Sequence, residues 1–93
     1  MDNRLNTLGL AYRAKKIVLG EEVLNQIKLV KLMIISSNIS DKSRERFLKK
    51  CHYYNIDYID EFDYETISKA LGKENVKVVG IVDEGFAKSI LKK

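Results

Sequence analysis

The chain's one cysteine and one histidine are neighbours, Cys51-His52, and are the first residues to test for chemistry. They fall within a stretch of helical periodicity, where adjacent side chains diverge by roughly 100°. On such positions they can neither act as nucleophile and base nor share a metal. Cys51 reads as core filler and His52 as a surface residue. One His and one Cys are too few for a protein-only zinc site without carboxylate help. Gly20 is isolated, and Gly72-Lys73 lacks the earlier glycine and the following Ser or Thr of a phosphate-binding loop. No Ser, His and Asp fall in a catalytic frame such as a nucleophile elbow. Asp57, Asp60, Glu61 and Asp83 lie near predicted strand ends, as do the acids of receiver-type signalling domains. The chain is short for that fold and lacks an adjacent acidic pair after a first strand. These residues point away from an enzyme, and no cofactor or metal is expected.

Glu21-Glu22, directly after Gly20, is the more informative pair. Two roles are open to it. One is structural: acids at the start of a helix interact favourably with its dipole. The other is recognition: a carboxylate steadied there, among lysines and arginines, can accept hydrogen bonds from a base edge, and the N1 and N2 hydrogens of guanine are its natural donors. Charge supports a polyanionic partner. The 17 Lys and Arg exceed the 13 Asp and Glu by a net +4, but unevenly. Residues 57–66 carry Asp57, Asp60, Glu61, Asp63 and Glu65 without a base, and setting those five aside leaves 17 bases against 8 acids, a net +9. Cations that neutralise phosphates gain affinity by releasing counterions. Ordinary surface solubility accounts for the same charges equally well.

The elements that must position these residues follow from hydrophobic spacing. Leu5, Leu8 and Tyr12 predict an amphipathic helix over 3–15. Ile17-Val18-Leu19 is a short strand broken by Gly20, and a second short helix then carries Val23, Leu24 and Ile27. Leu32-Met33-Ile34-Ile35 is apolar throughout and bounded by Ser36-Ser37-Asn38, as expected of a central strand buried on both faces. Ser40 is the N-cap of the longest helix, whose Phe47, Leu48, Cys51 and Tyr54 face the core while Lys42, Arg44, Arg46, Lys49 and Lys50 do not. Asn55 ends it. A half-exposed or edge strand over 56–62, a helix from Tyr64 stopped by Gly72, a strand over 76–82 and a last helix capped by Asp83 complete the chain. Alternation of this kind implies a largely parallel or mixed sheet between helical layers. Ligands gather at one end of such sheets, which nominates the turn at Gly20, the loop 36–40 and the loop 72–76.

Length and composition fit one domain over residues 1–93. With 45% hydrophobic and 32% charged residues, the chain is richer in core-forming side chains than a disordered tail. The lone cysteine and the want of an N-terminal apolar stretch place it in a reducing cytoplasm. No run approaches the roughly 18 apolar residues of a membrane span, and a monomer is expected.

Several stretches together resemble the L-seven-Ae superfamily of large-subunit ribosomal proteins, with its L-thirty-e relatives, and most of all its small bacterial YlxQ-type members. They are Leu8-Gly9-Leu10-Ala11-Tyr12-Arg13-Ala14-Lys15-Lys16-Ile17-Val18, Gly20-Glu21-Glu22, Lys50-Cys51-His52-Tyr53-Tyr54, Ala70-Leu71-Gly72-Lys73-Glu74 and Gly85-Phe86-Ala87. The resemblance implies a three-layer α/β/α sandwich around a mixed four-stranded sheet, binding kink-turn RNA, ribosomal or otherwise structured, without catalysis. In that family a Gly-x-Asn-Glu-x-x-Lys turn reads the sheared G·A pairs of the kink. Here the Glu is Glu22, but the Asn is replaced by Glu21 and the Lys by Asn25. A carboxylate for an amide beside RNA is unfavourable, and the lost Lys removes a contact worth on the order of 1 kcal/mol. The family's second contact, a loop covering a flipped-out nucleotide, corresponds to Lys73-Glu74-Asn75-Val76, which is more polar here and predicts weaker stacking. The implied interface is Gly20, Glu21, Glu22 and Asn25 on base edges, Arg13, Lys15, Lys16 and Lys28 on phosphates, and residues 73–76 on the extruded base. The alternative is a protein-interaction module of the same fold that has lost RNA affinity and offers the acidic strip 57–65 to a basic protein.

Overall fold

Leu32–Ile35, apolar at every position, forms a strand whose four residues are all buried. A computed structural model describes residues 2–92. The elements follow in the order α1 (Asn3–Arg13), β1 (Ile17–Leu19), α2 (Glu22–Asn25), a 3-10 turn (Ile27–Leu29), β2 (Leu32–Ile35), α3 (Asp41–Tyr54), β3 (Asp57–Ile59), α4 (Tyr64–Leu71), β4 (Val78–Ile81) and α5 (Glu84–Leu91). The four strands lie in the order β1-β4-β2-β3, with β2 and β3 parallel and β4 antiparallel to both β1 and β2. The sheet is therefore mixed, with β2 inside it and β3 at an edge.

Side-chain alternation along β2 divides the core in two. Leu32 and Ile34 join Leu8, Ile67, Leu71, Ile81 and Ile90 beneath α1, α4 and α5. Met33 and Ile35 join Val23, Ile27, Phe47 and Cys51 beneath α2, the 3-10 turn and α3. Apolar area leaves water on both faces of the sheet, which requires a helical layer on each. This is the expected three-layer α/β/α sandwich.

Local signals end the helices. Ser40 Oγ accepts from the Ser43 N–H at 3.3 Å, Asp63 from Thr66 N–H at 2.8 Å and Asp83 from Phe86 N–H at 2.9 Å. Asn55 and Gly72 close α3 and α4 in the left-handed region, at φ 55° and 71°. Three boundaries differ from expectation. Helix α1 stops at Arg13, and Lys15, not a glycine, takes φ 61°. The strands expected over 56–62 and 76–82 shorten to Asp57–Ile59 and Val78–Ile81, the residues that pair with Leu32–Ile34 and Leu32–Ile35 of β2.

Gly80 decides how closely α2 can approach the sheet. A Cβ there would lie 3.1 Å from methyls of Val18 and Val30 and 3.2 Å from Val23 on α2. Its missing side chain is the space into which α2 packs.

Candidate nucleic-acid interface

Three backbone hydrogen bonds gather the nominated loops at one end of the sheet. The Gly20 N–H donates to the Val78 carbonyl at 3.0 Å, Ser36 N–H to Lys77 at 2.9 Å and Ser37 N–H to Phe62 at 2.8 Å. The turn after β1, the loop after β2 and the loop before β4 are thus neighbours. Gly20 takes φ 56°, with open space where a Cβ would stand, so its need for glycine is conformational.

Both carboxylates after Gly20 are exposed and held by side chains. Glu22 accepts from the Gln26 amide at 2.7 Å and the Asn25 amide at 3.1 Å. These bonds hold its carboxyl below the usual carboxylate range, so near neutral pH it is an ionised, acceptor-only group with a fixed orientation. Glu21 pairs with Arg46 of α3, with Nη2 2.6 Å from Oε2. The structural role expected for the two acids needs correcting. Helix α2 spans only Glu22–Asn25, one turn, and Glu21 at its N-cap makes no side-chain bond to the helix N–H groups. The two amides and Arg46 do the steadying instead.

The second loop is braced from below. Buried Ser68 accepts the Val76 N–H at 2.8 Å, and Asn75 takes φ 57°. Lys73, Glu74 and Asn75 are exposed, and the Lys73 ammonium lies 5.9 Å from the Tyr12 ring centroid. Val76 belongs to the core at 6% exposure. It was expected to pack on an extruded base; its apolar side chain is drawn into the cluster beneath α4 instead, and only residues 73–75 face outward.

The expected phosphate contacts are dispersed. Lys28 is exposed in the 3-10 turn that continues from α2. Lys16 lies at the other end of β1, where its carbonyl accepts the Val82 N–H, about 13 Å from the Gly20 turn by strand rise. Lys15 precedes it, and Arg13 sits in a groove between α1 and α4. These three do not converge on Glu22.

The acidic segment is largely occupied within the molecule. Asp60 pairs with Arg44, Glu61 with Arg4 at 2.9 Å, Asp63 caps α4, and Glu65 accepts from the Asn38 amide at 3.1 Å. Among the described residues no group of three or more His, Cys, Asp or Glu could hold a metal, and no helix is long and apolar enough to cross a membrane. Cys51 is buried, and burial pushes its thiol up to about 11.

The profile of the Ribosomal protein L7Ae/L30e/S12e/Gadd45 family matches residues 2–91. The chain belongs to this family. Among L7Ae/L30e relatives, RNA-binding protein YlxQ of Bacillus subtilis (strain 168) is 33% identical over 87 residues, covering 90% of this chain and 87% of that one. RNA-binding protein YlxQ of Enterococcus faecium is 34% identical over 87 residues, covering 90% of this chain and 84% of its own. A solved structure from Bacillus halodurans C, of a protein described as having unknown function, shares the fold with a TM-score of 0.92 at 32% identity, covering 98% of this chain and 95% of that one. For this L7Ae/L30e-family chain, three positioning residues escape a motif reading. Gln26 is visible as the i+4 partner of Glu22. Ser68 could be found as a polar residue on the apolar stripe of α4. Arg46 carries no local signal, since only the packing of α3 beside α2 brings it to Glu21.

Proposed function

We propose that this chain is a non-catalytic, single-domain RNA-binding protein that recognises a kink-turn in ribosomal or other structured RNA. The observation that carries the reading is the Glu22 carboxylate, exposed, ionised and oriented by two amides, at the same end of the sheet as the exposed loop 73–75. Such a group accepts paired donors from a guanine edge, and the lysines around it meet phosphates. Glu21 is neutralised by Arg46, so the carboxylate that replaces the family's amide does not stand against RNA as a bare charge. Asn25 keeps Glu22 in place, in the position where the family has a Lys. Lys28 and Lys73 supply the near phosphate contacts, with Arg13, Lys15 and Lys16 reaching only an RNA that extends along the molecule. Glu74 and Asn75 offer polar contacts to the extruded nucleotide. The relatives named as RNA-binding proteins support the same reading.

Titration of a labelled kink-turn RNA with the protein and with Glu22→Gln, at two salt concentrations, tests it. Binding that weakens with salt and falls about 5- to 150-fold in the variant is expected, because one good base-edge contact is worth about 1–3 kcal/mol. Affinity unchanged by Glu22→Gln would remove Glu22 from recognition.

A further inference from the structure

We propose that the outer face of α3, formed by Arg46, Lys49, Lys50 and Tyr53, is a second RNA surface that takes a single-stranded segment flanking the structured element, with one base stacked on Tyr53. This rests on the RNA-binding reading above. The four residues follow the i, i+3, i+4, i+7 spacing of one helix face and line a shallow hollow of about 400 Å³. Tyr53 is 79% exposed, far beyond what packing requires, and Tyr54 braces it edge-to-face at 4.8 Å between ring centroids. Tyr54 in turn packs on the core. An aromatic ring held outward in this way is a stacking platform whose ordering cost is already met by folding.

Two of the three cations around it are available, Arg46 being paired with Glu21. Among the described residues neither Lys49 nor Lys50 makes an ion pair, although Glu45 lies one turn before Lys49. A groove of cations with an exposed ring suits a single strand, whose phosphates and unstacked bases need both, better than an acidic peptide, which has no use for the ring. The face is also continuous with the primary site, since its first member, Arg46, touches Glu21. A strand leaving the Glu22 site along α3 passes Arg46 first and reaches Tyr53 two helical turns later, about 10 Å on.

The experiment compares a kink-turn RNA with the same RNA carrying a six-uridine extension, placed at the 5′ end in one set and at the 3′ end in another. Wild-type protein should bind one extended form about tenfold more tightly than the unextended RNA, at the lower end of what base stacking contributes. Tyr53→Ala and the double variant Lys49→Gln/Lys50→Gln should each reduce that preference while leaving affinity for the unextended RNA and the melting temperature unchanged. Tyr53→Phe should retain it. Equal affinity for all three RNAs would overturn this surface and leave the primary site standing. Polyglutamate competing as well as oligouridine for the extension would also overturn it, in favour of an acidic protein partner. Failure to bind any of the RNAs would overturn both readings.

Discussion

Gly80→Ala should damage stability and RNA binding together, because this glycine seats the turn that carries Glu22. The added methyl would stand 3.1 Å from Val18 and Val30 and 3.2 Å from Val23, inside the roughly 3.5–4.0 Å optimum for carbon contacts. Val18 lies on β1, Val23 on α2 and Val30 between the 3-10 turn and β2, so no one rotamer change relieves all three contacts. Overpacking of this kind costs about 1–3 kcal/mol. A mid-range cost of about 2 kcal/mol lowers the melting temperature of a domain this size by about 8–16 °C. The cheapest relief is to lift α2, since α2 is one turn long while β1 is paired to the sheet, and lifting α2 moves Glu22 with it. Thermal denaturation and RNA titration of the same variant check both effects. Val23→Ala in the Gly80→Ala background removes the methyl that α2 contributes to the clash, so the double variant should be more stable than the sum of the two single losses by about 1 kcal/mol. A melting temperature within about 2 °C of wild type, or strictly additive losses, would refute the claim that Gly80 seats α2.

Ser36→Ala should raise stability by about 1 kcal/mol, read from denaturant midpoints. The Ser36 hydroxyl is fully buried and finds no hydrogen-bond partner among the described residues, and alanine removes an unsatisfied polar group at little loss of volume. Cys51 in the native protein should resist a thiol reagent at pH 8, since burial holds its pKa near 11, and should react with one equivalent once the protein is unfolded. Asp63, capping α4, has its carboxyl held below the ordinary value by bonds from Thr66. A depressed folded pKa means that stability is present above the unfolded value, about 3.9, and is lost as pH falls through the folded one. Asp63→Asn keeps the cap without the charge, so its acid denaturation profile should be shallower than wild type, with little change at pH 7.

Much of the frame was legible because it rests on local signals. The apolar run 32–35 announces a buried central strand, Ser40 and Asp83 are helix caps, and Asn55 and Gly72 adopt the left-handed conformations that end helices. What was not legible depends on residues brought together from afar. Nothing near Glu21 in sequence indicates Arg46, whereas the inward turn of Val76 was legible as the one apolar residue of the loop 73–76 and the start of the expected strand. Asp63 sits in an acidic segment and reads there as charge, yet its role is to cap α4, and three of its acidic neighbours are likewise engaged by residues 4, 38 and 44. The end of α1 carries no such signal, because Lys15 adopts a positive φ without being Gly or Asn.

The proposed role of the Glu22 carboxylate is to read a guanine edge in a kinked RNA. Its most direct measurement is fluorescence anisotropy of two labelled RNAs that differ only at the kink, one with sheared G·A pairs and the other with Watson–Crick pairs in their place. Wild-type protein should bind the first at least tenfold more tightly, and Glu22→Gln should remove most of that difference. Equal affinity of the wild-type protein for both RNAs would mean that the kink is not what it recognises.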